Sequence, residues 1–305
     1  MTLADALTSL LAGLRLRNYS ASTLCNYREQ LQRFGEWLSA DLACDLRRVS
    51  KSDIDTYQLY VRSEPISADT QALRLRAVKR LFDCLTDAGQ LLLHPAEHIV
   101  ELRRKDRLPK AVLTLKQMNQ LLAAPDTGTA LGLRDRALLE VLYGTAIRVG
   151  ELERVLVTDL SLSQQILTIR EGKGGKDRMV PLGSAALLWT KRYLDEVRPA
   201  LAKNCPYERA LFLVRPGRRL RQTHIRVILR RYKDHCHLKK SVTPHALRHA
   251  CATHLLQAGA DIRMIQELLG HARLDSTALY TRVVPVDVKA MHSRYHPSEH
   301  PHATD

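Results

Sequence analysis

The chain has 305 residues, enough for two domains that each bury a core. Lys and Arg number 47 against 32 Asp and Glu, a formal charge of +15 that points to a polyanionic partner, nucleic acid first. No apolar run is long enough to span a bilayer, and no basic amphipathic stretch rich in Trp and Phe could lie on one. Asp5 also interrupts any signal-peptide core, so a membrane role is excluded and the cytoplasm is the expected compartment. The cysteines (Cys25, Cys44, Cys84, Cys205, Cys236, Cys251) lie far apart with no CxxC pair and read as free thiols, several of them in cores. His235-Cys236-His237 offers soft ligands but lacks the partners that zinc spacing would require.

Residues 1–105 read as four helices with short connections, an all-α bundle. Leu24, Tyr27, Leu31, Phe34 and Leu38 mark one apolar helix face, with Ser20 or Ser22 as its cap. A third helix fits residues 52–62, and Pro65 leads into a fourth, striped by Leu73, Ala77, Leu81 and Leu85. Arg76 and Arg80, one turn apart and off that stripe, suit either solvent or DNA phosphates. From about 94 to 113 the period is lost. Pro95 and Pro109 bracket Arg103, Arg104, Lys105, Arg107 and Lys110, the pattern of a basic interdomain linker.

A second domain, residues 114–305, opens with helices at about 115–124 and 131–143, the latter closed by Gly144. Thr145 to Leu152 starts another, which puts Arg148 in a first turn where free backbone N–H groups favour an anion. Glu151, one turn on, is placed to orient that guanidinium or to form a surface pair with it. Residues 165–170 and 178–181 switch to strand character around Glu171-Gly172-Lys173-Gly174-Gly175-Lys176-Asp177, a hairpin tip with two lysines among glycines. It is not a P-loop, which would need Gly at Arg170 and Ser or Thr at Asp177. Its lysines are either solvated or poised to reach into a site. A helix at 184–197 and a short extended piece at 211–214 follow.

Between Arg215 and Lys233 the chain is at its most basic. Ile225, Ile228, Leu229 and Tyr232 form a packing side, while Arg226, Arg230, Lys233 and His237 form a basic stripe suited to a DNA groove or a phosphate run. Next, Thr243 and Pro244 supply an N-cap and a first helical residue, and Gly259 supplies the stop. At about 100° per residue, His245, Arg248, His249 and Ala252 share one side, and Leu247, Cys251, His254 and Ala258 pack on the other. Asp261 caps a short helix carrying Ile262, Ile265, Leu268 and Leu269, and Gly270 ends it. His271 follows in a loop, and Asp275 or Ser276 starts a helix with Tyr280. The tail after Pro285 is polar and is expected to be partly disordered. Phenol, imidazoles and guanidiniums together are what a site cleaving phosphodiesters would use. The whole is a mainly α fold with a small β-hairpin or sheet, of the α+β type.

Four strings carry a resemblance to a known family: GTAIRVGEL around Arg148, GKGGKDRMVPLG around Lys173, TPHALRHACATHLL around His245 and Arg248, and LLGHARLDSTALYTRV around His271 and Tyr280. In this order they resemble the tyrosine recombinases, also called the phage integrase family, and within it the two-domain Xer-like members. Ile147 and Gly150 depart slightly from the pattern, in packing rather than chemistry. The string NYSASTLCNYREQLQRFGEWL resembles the family's core-binding helical bundle.

The resemblance implies that Tyr280 is the nucleophile, giving a 3′-phosphotyrosyl link and a free 5′-hydroxyl. It implies that Arg148 and Arg248 hold the non-bridging oxygens beside His245 and His271, and that Lys173 protonates the leaving oxygen, with Lys176 close enough to share that part. His249 and His254 match no catalytic position. No ATP, metal or other cofactor is implied, since the phosphotyrosine conserves the bond energy. The implied partner is double-stranded DNA, bound by a homotetramer on two sites, with a related recombinase as an optional companion. The HSRYHP tail would then dock on a neighbouring subunit. A type IB topoisomerase-like nicking and closing enzyme shares the chemistry, and a non-catalytic DNA-binding protein shares the scaffold.

Overall fold

A computed structural model describes residues 1–41, 45–99, 112–170, 177–270 and 285–299, without the side chains of 39–41, 285–289 and 298. The chain divides into two compact units, Met1–Leu108 and Pro109–Asp305. The architecture is the expected one, mainly helical with short antiparallel strands.

In the first unit α1 (Leu3–Leu16), α2 (Ala21–Asp41), α3 (Lys51–Ser63) and α4 (Ala68–Asp87) enclose a core that includes Leu31, Phe34, Tyr57 and Phe82. Their starts are set locally. Thr2 and Ser50 form capping boxes with Asp5 and Asp53, and the Ser20 hydroxyl accepts from the Thr23 amide. The buried stripe of α4 is wider than expected: Leu75, Val78 and Phe82 join Ala77, Leu81 and Leu85, while Leu73 is only half-buried. Residues 88–99 are not helical, since α4 stops at Ala88 and Gly89 turns the chain at φ +67°. This start of the expected linker belongs to the bundle instead. Ala96 and Ile99 are buried in its core, His94 bonds Asp83, and the Lys79 ammonium donates to the carbonyls of Glu97 and Ile99. Arg103, Arg104, Lys105, Arg107 and Lys110 lie outside the described residues, as does Cys44.

The second unit contains α5 (Leu115–Ala123), α6 (Ala130–Thr145) and α7 (Val149–Arg154). A three-stranded sheet follows, ordered β1 (Leu160–Ser161), β2 (Ile166–Ile169), β3 (Arg178–Pro181), with Leu167 paired to Val180. Then come α8 (Ser184–Arg192), a π-helical stretch Tyr193–Val197 and α9 (Arg198–Ala202). The ribbon β4 (Leu213–Val214) and β5 (Arg218–Arg219) precedes α10 (Gln222–His235), α11 (Pro244–Gln257), α12 (Ile262–Leu269) and α13 (Pro285–Tyr295). Helix α6 runs past Gly144, whose Cα faces the Ala186 methyl across the α6–α8 contact. Ala146 instead takes the left-handed turn at φ 51°. Helix α10 ends at His235, so His237, beyond its cap and at φ 51°, leaves the basic stripe.

Residues 285–299, the described part of the tail, are folded. Helix α13 packs on β3 and α12, and Met291, His292 and His296 are buried. The His292 ring donates to the Gly144 carbonyl at 2.7 Å, and the Glu299 carboxylate accepts from the Ser184 amide and hydroxyl. A Cβ on Gly183 would come within 2.8 Å of the His292 ring, so this glycine leaves room for the tail. Within the single chain, residues 285–299 pack on the second unit through α12 and β3.

Candidate active site

Helix α11 is built as its caps dictate: the Thr243 hydroxyl accepts from the Ala246 amide, Pro244 opens the first turn, and Gly259 leaves at φ +95°. Its two sides are not as distinct as the helical period suggests. His245 and His249 are exposed, but Arg248 is buried and turns inward, donating to the Ala146 carbonyl at 2.6 Å and to the Leu269 carbonyl. Helix α12 ends at that point. The Asp261 carboxylate accepts from the Arg263 amide at its start and Gly270 closes it at φ 59°, although Ile262 is exposed and does not share the packing of Ile265, Leu268 and Leu269.

Arg148 converges on the same place. It is the N-cap of α7 rather than a first-turn residue, and its amide is not open to an outside anion because the Glu151 carboxylate accepts from it at 2.7 Å. That carboxylate also takes Arg148 Nη1 at 2.9 Å, while Arg148 Nη2 donates to the Gly270 carbonyl at 3.0 Å. Two guanidiniums from separate helices thus hold consecutive carbonyls, Leu269 and Gly270, at the partly negative end of α12. Burial, and next the neighbouring Arg148, lower Arg248 to about 10, so it remains a cation at neutral pH.

Glu151 is no surface partner. It is buried, and a second arginine, Arg178 at the head of β3, donates to both its oxygens at 2.9 and 2.8 Å. The desolvation that would raise this carboxyl is overcome first by the Arg178 bonds and then by the Arg148 amide, and it sits at about 2. Arg178 escaped the sequence reading, although a signal was there. Strand alternation places it on the same face as buried Val180, and an arginine on a core-facing position needs an internal carboxylate.

The remaining candidates are distributed as follows. His254 has the structural place expected of it. Its Nε2–H donates to the Leu113 carbonyl, so its Nδ1 accepts from the Tyr143 hydroxyl at 3.0 Å, and burial lowers its pKa. Arg226 and Arg230 are exposed on α10 and Lys233 is half-buried. With Thr243 and Pro244 they line a groove of about 320 Å³ that opens where α11 begins. In the first unit Arg76 is exposed on α4, and Arg80 stands 3.7 Å from Asp83. Lys173, Lys176, His271 and Tyr280 lie outside the described residues. Among the described residues no His, Cys, Asp and Glu cluster could hold a metal ion, and no helix is long and apolar enough to cross a membrane.

Residues 111–285 match the family model described as Phage integrase family, and residues 7–89 match the one described as Phage integrase, N-terminal SAM-like domain. Tyrosine recombinase XerC 2 of Ralstonia nicotianae is 34% identical over 291 residues, covering 93% of this chain and 83% of its own length. Tyrosine recombinase XerD of Listeria monocytogenes is 36% identical over 283 residues, covering 92% and 94%. A lambda integrase tetramer bound to a Holliday junction has a similar fold, with a TM-score of 0.67 at 18% identity over 93% of this chain and 80% of that one.

Proposed function

The chain belongs to the phage integrase family and is a tyrosine-type site-specific DNA recombinase, and on that premise we propose how its residues divide the chemistry. The Tyr280 oxygen attacks the scissile phosphorus. The P–O3′ bond stays intact, the P–O5′ bond breaks, and a 3′-phosphotyrosyl link and a 5′-hydroxyl result. A phenol ionises at a pH of about 10, so the nucleophile depends on cations and imidazoles around it to lose its proton near neutrality. Arg148 and Arg248 take the non-bridging oxygens, whose charge grows in the transition state. One well-placed donor of this kind contributes about 3–4 kcal/mol. His245 and His271 attend the same phosphate, and Lys173, or Lys176 beside it, gives the 5′-oxygen its proton. The 5′-hydroxyl of a partner strand then reverses the step. Since the phosphotyrosyl bond keeps the energy of the bond it replaced, the cycle requires neither ATP nor a metal ion.

The observation that carries this reading is the convergence of Arg148 and Arg248 on the carbonyls of Leu269 and Gly270, immediately ahead of the segment with His271 and Tyr280. Around it, Arg226, Arg230 and Lys233 contact the duplex from α10, and Arg76 and Arg80 contact it from the first unit. Four copies act on two sites in the cytoplasm, a reading supported by the lambda integrase of similar fold, which binds a Holliday junction as a tetramer. Recovering DNA that stays attached to the protein after denaturing lysis of its native cells tests the assignment and identifies the site. The wild type should retain one DNA sequence through a 3′ end, and Tyr280→Phe should retain none while binding that DNA normally. An adduct formed by Tyr280→Phe would remove Tyr280 from the nucleophile's place.

A further inference from the structure

The scheme above uses two arginines and leaves a third guanidinium of the same cluster without a part. Arg178 reaches from the first residue of β3 to both oxygens of Glu151, the oxygens that also accept from the Arg148 Nη1 and the Arg148 amide. The pair is shielded from water, with the Arg178 side chain 16% exposed and the Glu151 side chain 3%. Arg178 also lies over Gly270: a Cβ there would sit 2.9 Å from its Nε and 3.1 Å from its Cζ. It therefore touches the carboxylate that holds one edge of Arg148 and the residue whose carbonyl holds the other.

A shielded carboxylate draws to itself whatever guanidinium is within reach, because its charge has little water to rest on. With Arg178 on both oxygens, one terminal nitrogen of Arg148 suffices at Glu151, and its Nη2 extends past the carboxylate to the Gly270 carbonyl. Without Arg178, Arg148 alone would face the full carboxylate charge, and its planar fork would close on both oxygens in the bidentate manner that guanidiniums favour. Arg178 also sets the charge of the cluster. Three guanidiniums and one carboxylate leave two positive charges, matching a phosphodiester that gains a second negative charge as it is attacked.

We propose that Arg178 is a positioning residue for strand cleavage: its grip on both oxygens of Glu151 keeps the Nη2 edge of Arg148 free of that carboxylate and available to the scissile phosphate. Arg178 acts through Glu151 and touches neither the phosphate nor the nucleophile. The inference rests on the reading of Arg148 as a phosphate ligand.

The test is a double-mutant cycle on the single-turnover rate of covalent adduct formation, using the DNA site recovered from cells. Arg178→Met should lower the rate about 100-fold and Arg178→Lys about 10-fold, with DNA affinity within about 3-fold of wild type. In a Glu151→Gln background, which lacks the charge that captures Arg148, either substitution should lower the rate less than about 3-fold further. A scissile methylphosphonate, one oxygen fewer and uncharged, should likewise shrink the Arg178→Met loss below about 5-fold, because less charge is left for Arg148 to meet. If Arg178→Met does not fold, Arg178→Lys carries the cycle, its loss of about 10-fold falling below about 3-fold in the Glu151→Gln background. Equal losses in both backgrounds, or no loss at all, would overturn the proposal. A wild type that forms no adduct on this site would overturn the functional reading instead.

Discussion

Lowering the pH from 7.5 to 5.5 is predicted to loosen residues 285–299 from the second unit. His292 and His296 are buried and stacked, with ring centroids 4.4 Å apart and planes within 8°. The His292 Nε2–H donates to the Gly144 carbonyl. The Tyr143 ring lies 4.9 Å from His296, and His254 bonds the Tyr143 hydroxyl. Glu299 is the carboxylate acting on His292, and it is held by Ser184. Burial pushes both histidines below the usual imidazole range, His296 far below, where a charge on His292 would add repulsion. The sign follows from that direction. The released tail binds protons before the docked tail does, so docking is complete above the ordinary histidine value of about 6.5 and weakens as the pH falls below it.

While neither docked ring is protonated, each costs up to about 1.4 kcal/mol per pH unit below 6.5. At pH 5.5 two rings cost up to about 2.8 kcal/mol, which raises the undocked fraction about 100-fold. Hydrogen exchange of the α13 amides, corrected for the intrinsic effect of pH, reads that fraction. His292→Gln provides the control: its amide still donates to Gly144 while one titration disappears, so the pH response should drop about tenfold. His254 is present in both proteins and cancels from the comparison. Equal pH responses in the two proteins, or protection unchanged at pH 5.5, would refute the argument.

Two further predictions concern DNA contact and the end of α12. Arg226→Ala and Arg230→Ala should each weaken DNA binding and reduce the slope of log K against log salt by about 0.9, and a slope that stays the same would remove α10 from the phosphate backbone. Gly270→Ala should cost about 1–2 kcal/mol in urea unfolding, because the residue sits at φ +59° with Arg178 against it, and should slow adduct formation while leaving DNA affinity intact. A variant as stable as wild type would mean that α12 does not end in this conformation.

What was legible in the sequence was what short-range chemistry decides. The ends of α11 and α12 followed from Thr243, Pro244, Gly259, Asp261 and Gly270, since caps and left-handed turns are settled within a few residues. Ile225, Ile228, Leu229 and Tyr232 are all buried, and His254 packs as its face of the helix implied. Long-range partners were not legible. Nothing near Arg148 in the chain announces that Glu151 is buried or that Arg178, 27 positions beyond Glu151, shares that carboxylate. Nothing near His292 names its acceptor, the Gly144 carbonyl, 148 positions back. Gly144 reads as the end of α6, yet the helix runs to Thr145 and the left-handed residue is Ala146 at φ 51°.

The arginines proposed to receive the phosphate hold protein as well as charge. Arg248 braces the Ala146 and Leu269 carbonyls and Arg148 braces that of Gly270, so both fix the point from which the segment with His271 and Tyr280 departs. In the proposed scheme an arginine here would act twice, once on charge that develops at phosphorus and once on where the segment with His271 and Tyr280 begins. The two effects separate chemically. Removing charge from the substrate compensates for a missing guanidinium only in the first, because an uncharged phosphonate does nothing to hold a loose carbonyl. Arg178 differs from both in this respect. It lies over Gly270 but donates no hydrogen bond to either α12 carbonyl, and its leverage passes through a carboxylate whose charge can be deleted. Its loss should therefore be reversible by removing that charge, and the losses of Arg148 and Arg248 should not.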